Sequence, residues 1–405
     1  MLCLVFTISC DTADILTGDK ELDRDWSLVI ESGEDSTVRL YVTKQDEKLR
    51  TWLNDYLQPK ILTDYKLTLE LKIVDFQDLL AILETERNEA IVPGEVDLML
   101  LWGDEFEILK SKGLLYEDIA TKIPNNNDWL NAFDQDISMV QGTAIDGYAL
   151  PFGRNQMVML YDEDILEIYP RDTEELLRFL KENPSRFTYA NPVNDETGAA
   201  FVRSIIYDLV SEDNMKLLYD ETLTEADVES IIMPGINYLK LLDGFVYKEN
   251  GRYISRQSDV DVLFQTGQVY FSMTRDFAYI DEAIDKDVYP YGAVSFILDG
   301  GSIGSSNYLA LPENGFNKSG ALLLINEMMS QDVQYHKYLP SNFGDLPIYD
   351  LNLLPQEVLE TFQEASLKRG TLTAEILLNA RYPELPVRVQ EMINQIWLRH
   401  MSEPK

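Results

Sequence analysis

Cysteine is missing from the body of this 405-residue chain, because Cys3 and Cys10 both lie in the first ten residues. No disulfide framework and no cysteine metal cluster can therefore form in the fold that follows. Histidine is almost as scarce, with only His336 and His400, which leaves few positions for general-base chemistry. Basic residues are outnumbered as well: 34 Lys and Arg stand against 70 Asp and Glu, a formal charge of -36. Such a charge repels nucleic-acid phosphates and anionic headgroups, so nucleic acid is excluded as a partner. The acidity runs through every segment, as a solvated surface would have it. No stretch reaches the roughly 18 apolar residues of a membrane span. There is no G-x-G-x-x-G, Walker or EF-hand loop, and the residues call for no cofactor and no metal.

What is present is enough apolar material for a large core: 45% of residues are hydrophobic and 11% aromatic, suited to two lobes of ordinary size. The opening MLCLVFTISC is apolar and ends in Ser9-Cys10, similar to a lipobox in which Cys10 becomes the lipidated first residue. The stretch is short and carries no Lys or Arg, so a start codon further upstream is expected. Residues 11–36, with nine acidic and two basic side chains, are expected to form a solvated tether.

From Val38 the pattern alternates between strand and helix. Val38, Leu40 and Val42 have period two, Leu49, Trp52, Leu53 and Tyr56 have helical spacing, and Leu67 to Ile73 alternate again. VDLMLLW at 96–102 is apolar without alternation, the mark of a central strand covered on both faces. These elements predict a doubly wound parallel sheet. A second α/β unit follows: an extended Gly147–Asp162, a short strand at Arg186–Ala190, a helix opening at Gly198, and strands near Val269–Met273, in AVSFIL and in NYLALP. Beyond Pro355 the chain reads as mainly helical.

Two loops follow strands and precede helices. Trp102-Gly103-Asp104 stands past the central strand, where ligands gather in open α/β sheets. Asp104 there has either a cleft role or the N-cap of the next helix. Asn191 to Gly198 aims backbone N–H groups and a positive helix end at its surroundings, favouring an anionic or carbonyl group. On this reading an acidic side chain at Gly198 would repel ligand while leaving the fold intact. Gly300-Gly301-Ser302-Ile303-Gly304 matches G-x-S-x-G, and with His336 it sketches a serine hydrolase, but turn and strand residues follow where a helix is needed.

VDLMLLWGDEF, LPFGRNQMVMLYD, RFTYANPVNDETGAAFVRSIIYDL, GQVYFSMTRDF and NFGDLPIYDL occur in the order of the YnjB-type extracellular solute-binding proteins of ABC importers, which the chain resembles between about Val38 and Leu353. The resemblance implies a two-lobed α/β fold of the type II periplasmic binding protein class, each lobe a mostly parallel sheet flanked by helices. The expected division is 1–10 signal segment, 11–36 tether, 37–149 with 300–405 as lobe one, and 150–299 as lobe two. Carried over residue by residue, the resemblance lines the inter-lobe cleft with Trp102, Gly103 and Asp104, then Phe152, Arg154, Asn155 and Gln156. It adds Asn191, Asn194, Thr197, Gly198, Met273, Thr274 and Arg275 from lobe two, with Ser302 and Asn307 on the return crossing. The implied activity is capture of a small solute, without catalysis, by a monomeric lipoprotein outside the cytoplasm that delivers to a membrane permease and its ATPase. A hydrolase using Ser302 and His336, or a surface lipoprotein with no transport role, are the alternatives. The Ser9-Cys10 junction makes a direct prediction: radiolabelled palmitate enters the wild type but not Cys10→Ala, and equal labelling of the two removes the lipid anchor.

Overall fold

The computed structural model describes residues 26–401, apart from 127, 128, 366 and 368. Cys10 and the signal-like segment lie outside the described residues. The first element is the helix Trp26–Gly33, inside the segment expected to be a tether. Trp26, Val29 and Ile30 share one face at helical spacing and pack into the main core against the helix Lys318–Met328. The acidic count of the segment masked this short apolar stripe.

The strands, in chain order, are β1 (Thr37–Val42), β2 (Thr68–Ile73), β3 (Leu98–Trp102), β4 (Met139–Val140), β5 (Thr143–Ala144), β6 (Leu150–Arg154), β7 (Val158–Asp162), β8 (Phe271–Thr274), β9 (Ala293–Phe296), β10 (Ser302–Gly304), β11 (Ser306–Ala310) and β12 (Arg381–Pro383). The larger sheet has the order β2-β1-β3-β11-β6. Val38, Leu40, Leu98, Leu100 and Leu309 face one core while Tyr41, Met99, Leu101, Tyr308 and Ala310 face another. Both faces are therefore covered, which is why β3 reads as an unbroken apolar run.

The two-lobed α/β class stands, but strand direction departs from expectation. Pairing is parallel among β1, β2 and β3, and antiparallel where β11 meets β3 and β6. In the smaller sheet, β8-β7-β9, both pairings are antiparallel. The cause is the crossing itself: β7 leaves the joint, and the two strands flanking it both run back toward it. Residues 186–190 join neither sheet. Their carbonyls are taken one at a time by Tyr270 N on Arg186 and Tyr247 N on Phe187.

Three segments run between the sheets. Asn155 N donates to Ser305 O and Met157 N to Ile303 O, so the outgoing chain is bonded to the returning one. β12 then pairs in parallel with β10. Past it the helix Val387–Met401 packs with the helix Glu225–Asp243 in the core of the smaller sheet, through Val389, Ile393, Ile396 and Trp397. The end of the chain thus does not stay with the larger sheet.

Beneath the joint, the fully buried Lys337 donates through Nζ to Phe152 O (2.8 Å), Leu346 O (3.1 Å) and the Asp345 carboxylate (3.2 Å). A Cβ at Gly153 would overlap that carboxylate, so only glycine lets β6 pass. Lys337→Met would strand a buried carboxylate, and we expect a loss of about 3–5 kcal/mol in denaturant unfolding. Lys337→Met/Asp345→Asn should recover part of it; an unchanged midpoint in the single variant would show that the pair does not hold the joint.

Candidate ligand-binding site

The end of β3 and the three crossing segments enclose a cleft of about 250 Å3, counting the space open to solvent, lined by Gly103, Asp136, Val140, Gln141, Gly304, Ser305, Ser306, Tyr308 and Glu384. Gly103 has φ +53°, and a Cβ there would crowd the Gln141 amide. Trp102 precedes it, half-buried, with the Lys44 ammonium 5.1 Å from its ring centroid. Trp102 also pairs across the ladder with Asn307.

Charge is concentrated here. Arg203, 1% exposed, donates to Glu384 Oε1 at 2.8 Å. Arg275 donates to Ser305 Oγ at 2.9 Å and stands 3.8 Å from the same Glu384 oxygen. Arg381 pairs with Asp136 and reaches Asn155 O and Ser306 Oγ. Arg154 donates to Asp134 (2.8 Å) and Ile348 O (2.7 Å). Glu105 accepts from Trp102 N and Thr43 Oγ1, yet burial raises its pKa. Burial lowers that of Lys44, and the like charge of Arg275 adds to the effect.

Among the described residues, eight buried side-chain polar atoms have no hydrogen-bond partner, and six of them belong to Gln141, Arg154, Gln156, Arg203, Asn307 and Glu384. An unsatisfied buried group costs about 1–3 kcal/mol; of these six residues Gln141 and Glu384 line the cleft, while Gln156 lies in the joint. Contacts across the flanks of the cleft bring the lobes together. Lys48 meets Asp276 (3.5 Å) and Glu282 (3.1 Å) on one side, and Tyr219 donates to Gln135 (3.1 Å) on the other.

The expected residues divide into groups. Trp102, Gly103, Arg275 and Asn307 meet at the cleft. Asn155, Gln156 and Ser302 serve the joint: Asn155 Oδ1 accepts from Ser305 N and Oγ, and Gln156 Nε2 donates to Ser302 Oγ and Ala380 O. Phe152 and Met273 are core side chains. Thr274 Oγ1 accepts from Asp276 N in the turn after β8. Asp104 occupies the N-cap position of the helix Glu105–Ser111 but is exposed and makes no side-chain cap bond. Asn191 Oδ1 accepts from Val193 N, and Asn194 is exposed, donating to Ser255 Oγ.

One expectation is corrected, and the strand read after Ser302 is found. The N–H groups of Thr197 and Gly198 are not free for a ligand, because Asp195 Oδ1 accepts both at 2.8 and 3.2 Å. Ser302 lies on a strand, its hydroxyl 2.6 Å from Met157 O, while His336 accepts from Trp52 Nε1 and stacks on Tyr56. The elbow that a serine nucleophile needs is not formed. Lys44, Gln141, Asp136, Arg203, Arg381 and Glu384 were not anticipated. Arg203 had a readable signal, a lone charge within the apolar GAAFVRSII helix. Glu384, held between Pro383 and Pro386, had none.

At Gly198 a Cβ would fall on the Ala190 carbonyl oxygen, well inside contact distance. Gly198→Ala is therefore expected to lower unfolding stability by about 1–3 kcal/mol, and Gly198→Asp by at least as much. A melting temperature unchanged by alanine would mean the helix start is free to shift.

The profile of bacterial extracellular solute-binding proteins matches residues 63–348. The chain is 25% identical to protein YnjB of Escherichia coli (strain K12) over 343 residues, 84% of this chain and 86% of that protein. It superposes on an ABC transporter protein from Clostridium perfringens with TM-score 0.59 and 18% identity, over 90% of this chain and 99% of that one. A maltose-binding periplasmic protein from Listeria monocytogenes, solved with maltose, gives TM-score 0.63 and 13% identity, over 91% and 93%. At these identities the structural likeness speaks for the two-lobed fold. The profile match spans well over half of the sequence, and the chain belongs to the bacterial extracellular solute-binding proteins.

Proposed function

We propose that the chain captures a small solute between its lobes and hands it to an ABC permease driven by its ATPase, binding without catalysis. The observation that carries this is the cluster of unpartnered buried polar atoms where the two lobes and three crossings meet. We read residues 26–154 with 305–380 as one lobe and 158–301 with 385–401 as the other, the intervening residues forming the hinge. Closure about such a hinge would bury the solute and create the surface that the permease reads.

As an extracellular solute-binding protein the chain works outside the cytoplasm, and we propose that a lipid on Cys10 holds the monomer at the membrane. Among the described residues no helix is long and apolar enough to cross a membrane, and no group of three His, Cys, Asp or Glu side chains is placed to hold a metal ion. The absence of catalysis is read from the commitment of Ser302 to a backbone carbonyl and of His336 to Trp52 and Tyr56.

A solute that binds only the folded protein stabilises it by about 2.7 kcal/mol at 100 times its Kd. Scanning calorimetry against sugars, polyamines, thiamine derivatives, amino acids, organophosphates and metal salts should therefore find at least one class that raises the melting temperature by a few degrees. Flat curves across the whole panel would favour the surface-protein alternative. Covalent labelling of Ser302 by a fluorophosphonate would instead restore the hydrolase.

A further inference from the structure

Glu196 stands beside the cleft and is not built in. Its side chain is 71% exposed, on the first turn of the helix Glu196–Leu209, and its Oε2 stands 3.6 Å from Arg275 and 3.7 Å from Arg203. Charge-assisted hydrogen bonds are closer to about 2.7–2.9 Å, so both contacts are loose. Arg203 reaches Glu384 through one terminal nitrogen, and its buried Nε has no partner. Arg275 spends its other terminal nitrogen on Ser305 Oγ. Across the cleft, Lys44 lies over Trp102 and makes no ion pair among the described residues, although it is near enough to feel Arg275, Glu105 and Glu196.

The local charge balance depends on Glu196. Arg203 and Arg275 both face Glu384 Oε1 and Glu196 Oε2, so without the Glu196 carboxylate the two guanidiniums share the single charge of Glu384. Glu105 and Glu384 cannot leave, being held by Trp102 N and Thr43 on one side and by Arg203 on the other. Glu196 can, because its carboxylate already sits in solvent.

Building on the solute-binding reading above, we propose that the solute carries an anionic oxygen group, a carboxylate or phosphate, which displaces Glu196 and binds between Arg275, Arg203 and Lys44. The second oxygen of Glu384 is buried and unpartnered, and accepts a hydrogen bond from a hydroxyl or amino group of the same molecule. Trp102 closes the remaining wall. Glu196 thus serves as a tethered stand-in that keeps the empty site neutral and must be outcompeted, which sets a ceiling on affinity.

The test measures binding by calorimetry to wild type, Glu196→Gln and Arg275→Gln. The probes are citrate, glutamate, pyruvate and inorganic phosphate as anions, maltose and tagatose as neutral solutes, and spermidine and thiamine as cations. Binding is expected only in the anionic set. Removing the internal competitor in Glu196→Gln should tighten it about tenfold, and losing a charge-assisted bond in Arg275→Gln should weaken it about tenfold or more. Glu196 is exposed, so its amide variant keeps the fold, and a circular dichroism melt checks Arg275→Gln. A neutral or cationic ligand, or an anion that Glu196→Gln binds no tighter, overturns the anion assignment while leaving solute binding intact. Silence from all eight probes in both wild type and Glu196→Gln overturns the two together.

Discussion

Everything in this molecule is arranged around one constraint, that charged and polar groups must be buried where three backbone segments pass from one sheet to the other. Segments that belong to neither sheet cannot satisfy their N–H and C=O groups through a ladder. Here they bond each other, at Asn155 with Ser305, Met157 with Ile303 and β10 with β12. Side chains complete the set, with Asn155, Gln156 and Ser302 reaching backbone or hydroxyl partners within the joint. Arg154, Arg381 and Arg203 then bring their own counter-ions, Asp134, Asp136 and Glu384. Removing one member of such a pair leaves an uncompensated charge, which is worth several times what the pair itself adds. The joint is thus specified by mutual need rather than by apolar packing.

That arrangement inverts the charge pattern of the chain. A protein with 70 acidic and 34 basic residues gathers arginines in its least exposed place. The acid-rich exterior meets water and salt, where fields fade over about 8 Å at physiological ionic strength. The interior arginines act on whatever enters the cleft at short range and in a lower dielectric. Net charge therefore describes the surface and says nothing of the paired charges buried at the joint.

Most of the scaffold was legible. Period-two alternation found β1 and β2, the unbroken run found β3, and the order of strands and helices led to two α/β lobes. Trp102-Gly103 and Arg275 each follow a strand, β3 and β8, and strand ends are the positions that the sequence makes readable. The Asn191–Gly198 loop was misread for a definite reason. A residue able to cap a helix and a loop open to a ligand look the same in sequence, and only geometry shows that Asp195 already holds the two N–H groups.

By itself the sequence determined β1, β2 and β3 and that the body lacks thiol chemistry, because these follow from short-range periodicity and composition, and the order of its motifs showed which family the chain resembles. The tertiary structure alone decided that the C-terminal segment forms a third crossing, with Glu384 lining the cleft and Arg381 held against Asp136 of its wall. It also decided that Lys44, Glu196 and Arg275, far apart in the chain, share one electrostatic environment. Long-range juxtaposition of charges leaves no periodic trace, since each such residue is chosen by a partner far away in the chain.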